Sequence, residues 1–109
     1  MPKDAALLLS APGSEIFFSA ASLWEVAIKF GQGKPDFQFD PQPLRRGLLR
    51  TGYTELAIMS EHVMHVCQLP HIHKDPFDRL LIAQATLEGI TLLTTDTLIA
   101  QYPGPIQKL

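Results

Sequence analysis

"KDPFDRLLIAQA", residues 74–85, sets two aspartates astride a Pro-Phe pair at the head of an apolar run. Asp75 has the chemistry of an N-cap, and Pro76 suits the first helical position, where its missing N–H is no loss. Asp78 then falls at the third helical position, where a carboxylate faces the positive end of the helix dipole. The spacing predicts a helix over 75–89 that stops at Gly89. The next residues, ITLLT (90–94), form a continuous apolar β-prone run, the pattern of a strand covered on both faces. A helix feeding directly into a buried strand is half of an α/β repeat.

Working outward from this pair, EIFFS (15–19) reads as a second buried strand. It leads into SLWEVAIKF (22–30), a helix with an apolar stripe at Leu23, Val26, Ala27 and Phe30, stopped by GQGKP (31–35). DAALLLS (4–10) is rich in helix formers and predicts a helix broken at Ala11-Pro12-Gly13. Residues 35–43 read as a loop, and 43–52 as a short helix with a basic face closed by Gly52. A strand is expected over 53–59, a helix over 60–69 stopped by Pro70, a short helix over 97–102, and a weak last strand near Pro105-Ile106. Strands alternating with helices imply an α/β fold with a largely parallel sheet. Only two or three strands are firm, so the sheet reads as one strand short.

The 109 residues suffice for one domain. With 46% apolar and 18% charged residues, the chain is globular in composition, not disordered. A net charge of −2 gives no general attraction to nucleic acid, yet permits an enzyme that holds phosphate through metal ions. The lone Cys67 cannot form an internal disulfide, which suits a reducing cytoplasm, and its apolar surroundings predict a packing role. No signal peptide and no membrane-length apolar run is found, so a soluble, intracellular protein is expected.

The acids have local explanations. Ser22-x-x-Glu25 matches a capping box, Glu25 precedes Lys29 by one helical turn, and Asp96 can cap the helix after ITLLT. Together they carry a different reading. Glu25 lies early in the helix after one strand, and Asp96 follows the other. Asp78 opens the helix running antiparallel to ITLLT, so its end falls beside that strand's exit. Parallel strands end on one side, where ligands bind in open α/β folds. Three carboxylates meeting there without positive partners repel one another unless a hard cation neutralises them.

"SAASLWEVAIKFGQGK", "LPHIHKDPFDRLLIAQA" and "LLTTD" resemble, in order and over nearly the whole chain, the PIN domain of VapC-type toxins from bacterial toxin–antitoxin pairs. The resemblance implies a three-layer α/β/α fold with a parallel sheet, spanning residues 1–109 as a single domain. It also implies a Mg²⁺- or Mn²⁺-dependent ribonuclease that leaves a 5′-phosphate and a 3′-hydroxyl on its RNA. Its acidic site maps onto Glu25, Asp78 and Asp96, with Asp75 left as the helix cap. Ser19 and Thr95 match small polar positions that line the site in relatives, and Arg79 is placed to contact phosphate or pair with a carboxylate. A homodimer and a small antitoxin that blocks the site are the implied partners. The family's opening strand, which ends in an aspartate, and the helix after it are not found. Asp4 stands in a helix-like run and does not replace that ligand. The chain therefore reads as truncated at its N-terminus, with a sheet edge left open where the central strand belongs.

Two other functional classes follow. One is a catalytically inactive PIN remnant that keeps its antitoxin-binding or dimerising surface. The other is a phosphoacceptor domain of the response-regulator kind, for which no acceptor aspartate with a nearby lysine can be placed. His62, His65, His71 and His73 offer no convincing four-ligand zinc set. Gly31-Gln32-Gly33-Lys34 follows a helix and lacks phosphate-loop spacing, so it reads as a helix terminator. Arg45, Arg46 and Arg50 form either an RNA-facing or a merely solvated helix face. Trp24, Phe17 and Phe18 are expected in the core.

Overall fold

The computed structural model describes residues 8–13, 15–35, 38–72, 74–94 and 96–109. Leu8–Ala11 forms β1 and Glu15–Ser19 forms β2, joined by a short connection at Pro12 and Gly13. Gly13 has φ +86°, in the left-handed region that a tight hairpin loop demands. So short a connection can join only antiparallel neighbours, because a parallel pair needs a crossover of a dozen or more residues. The register follows, with Leu8 opposite Phe18 and Ala11 opposite Glu15.

This corrects the helix expected over residues 4–10: Leu8, Leu9 and Ser10 are extended, while Asp4 lies outside the described residues. Helix propensity favoured Ala and Leu, but it is a weak prior that burial overrides. Leu9 has no exposed surface, and it pairs with Phe17 on one side and Leu92 on the other. The sheet order is β3-β2-β1-β4-β5, with β3 at Thr54–Leu56, β4 at Thr91–Thr94 and β5 at Ile106–Lys108. The central position expected to stand empty is filled by β1. The outer strands are three-residue pieces, short enough to limit edge-to-edge pairing.

Because β1 is antiparallel to both β2 and β4, those two point the same way. β3 is parallel to β2, and β5 to β4. Four strands therefore run in one direction around a reversed central strand, the α/β sheet expected from the sequence with one local reversal. Ser19, Leu56 and Thr94 end their strands at one edge, and β1 begins at that edge.

The helices are α1 (Ala20–Gly31), α2 (Pro41–Arg50), α3 (Ser60–Val66) and α4 (Pro76–Glu88). Helix α4 begins as its sequence dictates: Asp75 accepts from the backbone N–H groups of Phe77 and Asp78 at 2.9 and 3.2 Å. It ends at Gly89, whose φ of +69° gives the left-handed terminus that glycine supplies without strain. Residues 80–85 are all buried, so α4 is covered on every side, touching α1 and α3 as well as β4. Helix α2 starts at Pro41 under the cap of Asp40, where a loop had been expected, and buries none of its residues. The apolar core joins Leu9, Leu81, Ile82, Ala85, Leu92, Ile99 and Tyr102 between sheet and helices.

Leu9→Ala should lower unfolding free energy by roughly 2–5 kcal/mol, the usual loss for a large-to-small change at a fully buried site. Urea denaturation reads this directly. An unchanged midpoint would show that Leu8–Ala11 is not the central strand.

Candidate functional site

Strand β2 ends at Ser19, and the next residue begins α1. Ser19 is the N-cap, its hydroxyl accepting from the Ala21 N–H at 3.0 Å. The capping box expected at Ser22 and Glu25 is thus displaced by one turn. Ser22 lies inside the helix, buried, with no hydrogen-bond partner for its hydroxyl among the described residues. Glu25 points from the second turn, half-buried, and pairs with Lys29 at 3.4 Å as its spacing predicts.

Helix α1 meets the start of α4 through an edge-to-face contact of Trp24 and Phe77, with ring centroids 4.9 Å apart. The residues that follow these two rings are Glu25 and Asp78. One aromatic contact therefore brings together the helical turns carrying two of the three acids. Trp24 is 57% exposed, which corrects its expected place in the core; Phe18 is buried there and Phe17 partly so.

The third acid follows β4. Thr94, buried at the strand end, accepts from the Asp96 N–H at 2.9 Å and so turns the chain. Asp96 Oδ1 accepts from the N–H groups of Leu98 and Ile99 at 2.8 and 3.3 Å, capping the 3₁₀ turn at Ile99–Gln101. The carboxylate is thereby held at the edge where β2 and β4 end. Thr95 lies outside the described residues.

No group of three His, Cys, Asp or Glu side chains is arranged to hold a metal ion among the described residues. The donor chemistry fits a hard divalent cation, since carboxylate oxygens are its preferred ligands. Glu25 also has a positive partner, unlike the unpaired cluster expected from the sequence.

Other expected site residues have structural partners. Ser19 has no exposed surface and donates its hydroxyl proton to Gln84 Oε1, so it supports α1 from beneath. Arg79 donates to the Val66 and Leu69 carbonyls at 3.0 and 3.3 Å and closes the end of α3. Its other terminal nitrogen lies 3.4 Å from His71 Nδ1. His62 is buried, with Nδ1 accepting from the Met59 N–H at 3.0 Å and Nε2 2.8 Å from Glu88. Both ring nitrogens are thus engaged without a metal; His73 lies outside the described residues. Cys67 is exposed at the end of α3, not packed as expected.

Sequence reading passed over Gln84. Its signal was a single polar residue inside an apolar run that the structure buries on all sides.

A family model of the PIN domain matches residues 2–105. The chain belongs to the PIN-domain family. PIN membership gives nuclease chemistry on nucleic acid as the general activity, of a kind that typically depends on divalent metal. The comparison with curated proteins returned no match, and neither did that with solved structures. Among the described residues, no helix is long and apolar enough to cross a membrane.

On the basic face of this PIN domain, Arg45 clamps Glu55 with two hydrogen bonds of 2.9 and 3.0 Å, tying α2 to β3. Arg46 and Arg50 stay exposed on the same helix. The bonds from Arg45 lower the pKa of Glu55, against a smaller upward push from partial burial. A carboxyl whose folded pKa is depressed adds stability above its unfolded pKa and loses it as pH falls through the folded value. The gap in melting temperature between the native chain and Glu55→Gln should therefore be present at neutral pH and close in acid. A gap that persists unchanged to pH 2 would rule out the ion pair as its source.

Proposed function

We propose that this PIN domain is a VapC-type ribonuclease, hydrolysing RNA phosphodiester bonds with Mg²⁺ or Mn²⁺ held by Glu25, Asp78 and Asp96. The observation that supports this reading is the Trp24–Phe77 contact, which brings the turn of α1 that bears Glu25 to the start of α4 that bears Asp78, while Asp96 follows β4. A divalent cation there would neutralise phosphate charge and supply an activated water. The protein's part is positional: Ser19 and Asp75 cap the helices bearing Glu25 and Asp78, and Thr94 fixes the turn bearing Asp96. Lys29, beside Glu25, supplies a cation on the same helix. A small antitoxin covering this edge, a homodimer and a single domain over residues 1–109 complete the proposal, with the cytoplasm as its setting.

One observation favours a second reading. The carboxylates do not form a ligand set among the described residues, as befits an inactive remnant that retains a binding surface.

Asparagine caps helices as well as aspartate does. Asp96→Asn should therefore keep the bonds to Leu98 and Ile99, and the melting temperature, while metal-dependent cleavage falls to background. Asp75→Ala should do the reverse, losing about 1 kcal/mol of stability and retaining cleavage. Both are read by cleavage of a mixed RNA with Mn²⁺ and with chelator. Cleavage by the native chain that survives in Asp96→Asn defeats the assignment of Asp96; no cleavage from a folded native chain favours the remnant.

A further inference from the structure

Trp24 is the chain's one tryptophan, and it stands 57% exposed beside the proposed site. Its ring meets Phe77 at an interplanar angle of 80° with centroids 4.9 Å apart. In such an edge-to-face contact Phe77 covers at most one face of the indole, and more than half of the residue's surface stays exposed. The contact also fixes the ring's direction, so a molecule stacking on it meets an already ordered surface.

We propose that the exposed indole of Trp24 is a stacking platform for an unpaired nucleobase of single-stranded RNA, next to the phosphodiester that water, activated by the ion proposed for Glu25, Asp78 and Asp96, would attack; the inference rests on that reading. Base–aromatic stacking tolerates any base, because every base has a π-face. The surroundings suit a nucleotide better than a protein helix. Glu25 and Asp78 directly follow the two rings, and Lys29 and Lys74 lie four residues beyond Glu25 and four before Asp78. An apolar partner laid along Trp24 and Ile28, the exposed residue one turn on, would have to dehydrate these charges. A base joined to a phosphodiester takes the ring while its charged backbone stays in water, so these side chains need not be dehydrated.

Because Trp24 is alone, its fluorescence reports the platform without a label. The 109-residue chain is titrated, in chelator, with a single-stranded uridine hexamer and with an abasic hexamer carrying the same phosphates. Saturable quenching by the first and not the second is expected. Trp24→Phe should hold the labelled uridine hexamer within about threefold of the native affinity, and Trp24→Ala roughly tenfold more weakly, the order stacking is worth. If Trp24→Ala fails to fold, the native titration decides alone. Equal quenching by both hexamers, or none, overturns the platform, and intact cleavage with Mn²⁺ would then leave the ribonuclease reading standing. Base-dependent quenching from a chain that does not cleave upholds the platform and removes the ribonuclease reading.

Discussion

Gln84 carries the only polar side chain in the buried run of α4, and three other elements are fixed through it. Its Oε1 accepts from Ser19, the cap of α1; its Nε2 donates to the Ala57 carbonyl at 3.3 Å and lies 3.5 Å from His62 Nδ1. The directions of these bonds are determined. His62 Nδ1 accepts from the Met59 N–H, so in the neutral ring the proton sits on Nε2 and points to Glu88. Stripping a partner from any of these buried groups costs roughly 1–3 kcal/mol, so the members of the network support one another. The same amide thus ties the start of α1, the exit of β3 and the head of α3 to a single helix. Glu25, on α1, inherits its position from this node.

The hairpin at Gly13 imposes the second constraint. A short loop forces β1 to run against its neighbours, and the sheet accepts it because Leu9 fills the space between β2 and β4 completely. The four outer strands keep a common direction, and their common direction is what gathers the chain turns after Ser19 and Thr94 at one edge. The reversed strand therefore preserves the edge on which a site can be built, while its own first residue, not its last, lies there. In this fold β1 contributes packing at the centre of the sheet, and the acids come from the elements around it.

Local chemistry was legible in the sequence where the chain itself supplies both partners. Asp75 with Pro76, Gly89, and Glu25 with Lys29 lie within a turn or two of each other, so spacing alone foretold them. The α/β alternation was legible for the same reason. What escaped depends on distant partners. Leu8–Ala11 has helical composition, and only its neighbours in the sheet make it a strand. Arg79 bonds the carbonyls at the end of α3, partners that spacing does not reveal because that terminus meets α4 only in the fold. Trp24 was assigned to the core on hydrophobicity, although α1 directs Val26 inward and Trp24 outward.

The same distinction bears on the acids. Read from sequence, they formed a cluster whose mutual repulsion called for a cation. In the folded chain, Glu25 is neutralised by Lys29, and Asp96 is bound by the amides of its own turn. Neither needs a metal to be tolerated, because each charge has a favourable local contact. A divalent ion at this edge would have to compete with contacts of modest strength: a partly exposed ion pair worth about 0–1 kcal/mol and a cap worth about 1 kcal/mol. The caps and the Gln84 network would therefore hold this edge together whether or not an ion is bound, so that folding does not depend on the proposed metal.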